Sequence, residues 1–168
     1  MFHKILGSLF IIVSTAFISK SLTDSLKRRA ESLKAFERLL VLLESEIDYA
    51  NNPLDVAFSN ISNSVKLGGF LPFIISKINS EGIKSSWQQG IENFKKDLSL
   101  KDGDTKVLLS LSYQLGVTDR ENQIMNIRYV KSLLASYIDE ADQNSKTLTR
   151  LYRNISFLAG IGTIILLL

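Results

Sequence analysis

The stretch KSLTDSLKRRAESLKAFERLLVLLESEI, Lys20 to Ile47, decides the fold. Leu22, Leu26, Arg29, Leu33, Phe36, Leu40, Leu43 and Ile47 fall at alternating steps of four and three, the spacing of a helical seam that meets another helix. Arg29 is its one polar member. Most of the positions between seam residues are Lys, Arg, Glu or Ser, so the other side of the helix faces water. Late in the chain the same rule selects Ile127, Val130, Leu134, Tyr137, Ala141, Asn144, Leu148 and Leu151, with Asn144 the strongly polar member. Laid antiparallel, the seams register Leu22 with Leu151, Leu26 with Leu148, Leu33 with Ala141, Phe36 with Tyr137, Leu40 with Leu134 and Ile47 with Ile127. Arg29 then faces Asn144, and a buried polar layer of this kind fixes register at some cost in stability.

Between the seams, turn residues cut the chain into short helices, and no segment alternates as a strand does. Asn51-Asn52-Pro53 ends the first long helix near Ala50, with Pro53 suited to opening the next. A second helix covers Leu54 to about Val65 and is closed by Gly68-Gly69. A third runs from Phe70 to about Asn79, with Pro72 harmless in its first turn, and stops at Gly82. A fourth, capped by Ser85 or Ser86, carries Trp87, Ile91, Phe94 and Leu98. A fifth opens at Asp102 or Asp104 and ends at Gly116. Thr118 with Glu121 has capping-box spacing for the last helix. The expected fold class is all-α: an antiparallel hairpin of two long helices around short inner ones, a bundle of about six in all. Trp87, the single tryptophan, is expected to anchor the inner bundle.

Both ends are apolar. Residues 5–19 read ILGSLFIIVSTAFIS and residues 155–168 read ISFLAGIGTIILLL, each without a charge. Lys20, Lys27, Arg28, Arg29, Lys34 and Arg38 follow the first run, and Lys146, Arg150 and Arg153 precede the second. Positive flanks stay cytoplasmic. The expected organisation is an N-terminal membrane anchor at 5–19, a cytoplasmic helical domain at 20–154 and a C-terminal anchor at 155–168. At roughly 20 Å each, the runs fall short of a bilayer core of roughly 30 Å, so pairing through Ala159, Gly160, Gly162 and Thr163 or local thinning would have to help them. Two alternatives compete. Ser14 and Ala16 suit cleavage of a signal peptide before Phe17, which would make an exported helical protein with one C-terminal anchor. A holin-like protein that permeabilises bilayers through its ends is the other, and the large patterned middle argues against it.

Composition removes most catalysts. The chain of 168 residues has no cysteine, a single histidine (His3) and a net charge of +3, which leaves no thiolate chemistry, no histidine triad and no strongly basic nucleic-acid surface. Phosphate-binding, zinc-protease and nucleophile-elbow motifs are missing. Glu44 and Asp48, one turn apart, could share a cation, but two carboxylates are a poor site and a solvated face explains them better. No catalytic residue, cofactor or metal is expected.

Leu43-Glu44-Ser45-Glu46-Ile47-Asp48-Tyr49, followed by Pro53-Leu54 and Ala57, and later Leu115-Gly116-Val117-Thr118-Asp119-Arg120-Glu121-Asn122-Gln123, resemble the two signature stretches of the stage III sporulation protein AB family. The resemblance extends through the apolar start, the basic helix, the central tryptophan and the aliphatic tail after Leu158-Ala159-Gly160. It implies a protein of the mother-cell membrane engulfing the forespore, its partners the other stage III channel proteins and membrane lipid, with self-association open. That family is similar in its helical domain to the inner-membrane platform protein of type II secretion machines. By analogy the chain would dock a cytoplasmic secretion-type ATPase without being an enzyme itself. The matching positions for partner binding are Glu44, Glu46, Tyr49, Asp119, Arg120 and Gln123, with folding as their other use.

Overall fold

The computed structural model describes the backbone of residues 2–50 and 52–167; within 1–22 and 153–168 it describes the side chains only of residues 7, 14, 17, 20, 21, 154, 155, 157, 158 and 162. Among the described residues the chain is all-helical, with no strand. Helix α1 is Phe2–Ser45, continued by a π-helical turn at Glu46–Ala50. Helices α2 (Leu54–Ile61), α3 (Phe70–Phe94) and α4 (Asp102–Ser110) follow, then a 3-10 turn at Leu111–Tyr113 and the long α5, Arg120–Leu167. The chain forms two compact units, one of residues 1–28 with 140–168 and one of residues 29–139. The expected domain 20–154 contains all of the second and the inner part of the first.

The boundaries follow from local chemistry. Pro53 lacks an N–H and crowds the preceding turn, so the first helix has to stop before it, and its carbonyl starts α2 by accepting the Ala57 N–H at 2.9 Å. Helix α2 ends at Ile61, earlier than Val65, because Ser62 and Ser64 fold back onto Ser59 and Ile61. In α3 the expected break falls at Gly82, whose φ of 76° is open to glycine at little cost. The helix resumes at Ile83 rather than at Ser85 or Ser86, and Ser86 instead donates its hydroxyl to the Gly82 carbonyl at 2.7 Å.

The core of the second unit is aromatic at its centre. Trp87 is fully buried, with Phe70 at 5.2 Å and Phe36 at 6.3 Å edge-on and Phe58 at 6.2 Å. Its indole N–H donates to the Leu108 carbonyl at 2.8 Å, so the ring fills space and closes a polar bond together. Gly90 lets α3 fold back on itself here: a Cβ would come within 2.8 Å of Ile74 and 2.9 Å of Phe70.

Seam residues Leu33, Phe36, Leu40 and Leu43 of α1, Ile47 of the π-helical turn and Ile127, Val130, Leu134 and Ala141 of α5 are buried, whereas Leu151 is exposed. Phe36 packs on Phe70 and Trp87, and the Tyr137 ring lies over Gly103. A heptad marks which side is buried without naming what covers it, and here inner helices supply part of the cover. The expected Leu22–Leu151 pair cannot be followed because the Leu22 side chain lies outside those described, as do the side chains of His3, Lys4, Arg153 and most of 5–19 and 155–168. Among the described residues no helix is long and apolar enough to cross a membrane.

Candidate partner-docking site

Arg29 is 3% exposed, and its guanidinium grips the buried Asp104 with two parallel bonds, Nε to Oδ2 and a terminal nitrogen to Oδ1, both 2.8 Å. The expected layer paired Arg29 with Asn144. Asn144 donates to Glu140, one turn before it, at 3.1 Å, and the planar fork of Arg29 is matched by a carboxylate that sequence spacing had assigned to helix capping. Asp104 does that work as well: its Oδ2 accepts the Lys101 N–H at 2.9 Å. One carboxylate therefore closes the first turn of α4 and fastens it to α1.

The two signature stretches meet. At the end of α1, Glu44 accepts from Arg128 Nε at 2.7 Å and from Lys131 Nζ at 2.9 Å, both on α5. One turn on, Asp48 accepts from Arg120 at 2.8 Å. Burial works hardest against the Glu44 charge, but the bonds and charges of Arg128 and Lys131 together outweigh it and hold the carboxyl below the usual glutamate range. Glu44 and Asp48 are thus each paired with bases of α5. Glu46 accepts from Asn52 at 2.7 Å and Asn60 at 3.0 Å, lowering its pKa and tying the π-helical turn to α2.

The second stretch is organised around the start of α5. Asp119 accepts the backbone N–H of Asn122 at 2.9 Å and its side-chain amide at 2.8 Å, and these bonds lower its pKa. Asp119 is therefore the N-cap, in place of Thr118, whose hydroxyl donates to Gln114 instead. An aspartate is the stronger cap, and it displaces the boundary by one residue. Gln123 spans the preceding loop, donating to the Thr118 carbonyl at 2.8 Å and accepting the Gly116 N–H at 3.1 Å. Gly116 itself, at φ 74°, has Ile83 and Leu54 where a Cβ would sit.

A family model of stage III sporulation protein AB matches residues 4–168 of the chain. The chain belongs to the stage III sporulation protein AB family. A relative in Bacillus subtilis (strain 168), stage III sporulation protein AB, is 27% identical over 171 residues, covering 98% of this chain and 99% of the relative. A solved structure of a stage III sporulation protein AB matches with a TM-score of 0.64 at 24% identity, over 70% of this chain and 96% of that one, a likeness of fold. Family membership makes this a sporulation protein.

Of the six positions expected to bind partners, Glu44, Glu46, Asp119, Arg120 and Gln123 all make internal hydrogen bonds. Tyr49 is different. It is 86% exposed on the π-helical turn, where the extra residue per turn shifts the direction of side chains relative to α1. Met125 and Tyr129, one turn apart on α5 and flanking Arg128 in sequence, are exposed as well, as is Val117. Neither Met125 nor Tyr129 was singled out by sequence; their helix offered several apolar positions, and only burial separates core from surface.

Proposed function

We propose that the chain is a non-enzymatic platform of the sporulation channel between mother cell and forespore, rooted in the mother-cell membrane by residues 5–19 and 155–168, with residues 20–154 cytoplasmic and docking a secretion-type ATPase. The observation that carries this reading is the exposure of Tyr49 on a surface whose neighbouring signature residues are spent on holding it in shape. Exposed tyrosines over a rigid base are typical interface anchors, since they bury much area with little entropy to lose. The antiparallel hairpin belongs to the same proposal: Glu44 pairs with Arg128 and Lys131, and the later Asp48 with the earlier Arg120, steps that run in opposite directions along α1 and α5. Uncharged ends with basic flanks support membrane anchorage, the short runs being helped by pairing or local thinning.

The test is co-purification of the detergent-solubilised full chain with the secretion-type ATPase made in the same sporulating cells. Enrichment of the ATPase is expected, with a loss of about tenfold or more in Tyr49→Ala, a hot-spot effect. No enrichment with the wild-type chain would overturn docking, and recovery of the chain in the aqueous fraction of a lysate would overturn anchorage.

A further inference from the structure

Glu46–Ala50 winds as a π helix, a rare conformation, and Tyr49 is its fourth residue. A π turn takes up one residue more than an α turn, and one residue is about 100° of rotation. Over the turn the two conformations come to differ by about that angle, so Tyr49, near its end, would point elsewhere if the segment wound as α helix. On a cylinder of about 5 Å radius, the tip of its side chain would move by several ångström.

Something has to hold a rare turn in place. Pro53 stops the helix, but a helix can stop before a proline without widening. The specific hold comes from Glu46. Its backbone carbonyl accepts the Asn52 N–H at 3.3 Å, and its carboxylate oxygen Oε2 accepts two amides together, Asn52 at 2.7 Å and Asn60 of α2 at 3.0 Å. The first residue of the turn is thus fastened to a residue just past its end and to the next helix. An ionised acceptor makes both bonds stronger than a neutral one would. The two residues that follow are engaged elsewhere, Ile47 in the core and Asp48 with Arg120, and Tyr49 comes next, exposed.

We propose that Glu46 is the positioning residue of the docking surface, its carboxylate latching the π turn to Asn52 and Asn60 so that Tyr49 is aimed at the partner, an inference that rests on Tyr49 being the ATPase anchor. Glu46 acts through Tyr49 and touches no partner itself. A glutamine at this position keeps an acceptor oxygen of the same reach and retains the latch without the charge. Alanine has no acceptor and the highest helix propensity, and it releases the turn toward the α conformation.

The chain has no cysteine, so spin labels go only where a cysteine is placed. Labels at Tyr49→Cys and Lys96→Cys, the second an exposed position of the same compact unit, report the aim of position 49 by double electron–electron resonance. The sample is the full chain in detergent micelles with no ATPase present. Glu46→Ala is expected to shift or broaden the distance by about 3 Å or more, and Glu46→Gln to leave it in place. An unmoved distance in Glu46→Ala overturns the latch. So does a red shift of the Trp87 emission in that variant, which would trace the change to an opened core. In co-purification with the ATPase, Glu46→Ala is expected to cut recovery about tenfold, with no further loss when Tyr49→Ala is added, and Glu46→Gln to stay within about twofold of wild type. Equal losses in Glu46→Gln and Glu46→Ala would make Glu46 a charged contact of the partner and overturn the positioning role. Failure of the wild-type chain to recover the ATPase is a separate result: it removes the docking reading, while the label distances still decide whether Glu46 latches the turn.

Discussion

Arg29 and Arg120 each hold an aspartate at 2.8 Å, yet the two pairs serve different ends. The Arg29–Asp104 pair is bidentate and buried, so neither charge has water to fall back on. The Arg120–Asp48 pair is single and partly exposed, and solvent replaces either partner at small cost. Bond length alone does not distinguish them. The difference is what each charge meets when its partner leaves, so the inner pair belongs to the fold and the outer ones to the shape of a surface.

The sharpest way to break that contrast is Arg29→Met, which strands a buried carboxylate. It is expected to lower stability by about 3–5 kcal/mol in urea unfolding of the detergent-solubilised chain. Adding Asp104→Asn removes the stranded charge while keeping an acceptor for the Lys101 N–H, and most of the loss should return. A double variant as unstable as the single one would mean that the pair is not the source.

Glu44 tests the intermediate case, partly buried and held by two bases. Glu44→Gln is expected to cost about 1 kcal/mol at neutral pH. Because the folded carboxyl titrates below the ordinary value of 4.5, its contribution is present above that pH and is lost as pH falls through the folded value. The gap between wild type and variant should therefore close on acidification from pH 5 downward, and a gap that stays constant to about pH 3 would contradict the assigned ion pairs.

Arg120→Ala should have the smallest effect, about 0.5 kcal/mol in the same unfolding measurement. A loss above about 2 kcal/mol would place this pair with Arg29 and erase the distinction.

Much of the helical plan was legible from spacing. Leu33, Phe36, Leu40 and Leu43 of the α1 seam are buried because a period near 3.5 keeps one face turned inward, and Trp87, the single tryptophan, lies in the core as expected. Arg29 was visible as the polar member of the seam, but its partner was not. A carboxylate at the third position of a short helix reads as a cap, and nothing local says that it also faces another helix. The Glu44 fork was equally hidden, since its bases are 84 and 87 positions away and pairing needs the register to within one residue. At the candidate site the stretches came from a family resemblance, and only the folded chain says what their side chains do: five of the six make internal hydrogen bonds, and Tyr49 is exposed.

Helix α4 and its 3-10 extension are bolted by three buried polar bonds to three different helices: Asp104 to Arg29 on α1, Leu108 to Trp87 on α3, and Leu111 to Asn126 on α5. The first of these joins positions 75 apart, so a loop spanning most of the unit has to close before the bolt engages. This piece behaves as a keystone. Its three bonds need partners from three helices, so all of them can close only where those helices are already in place.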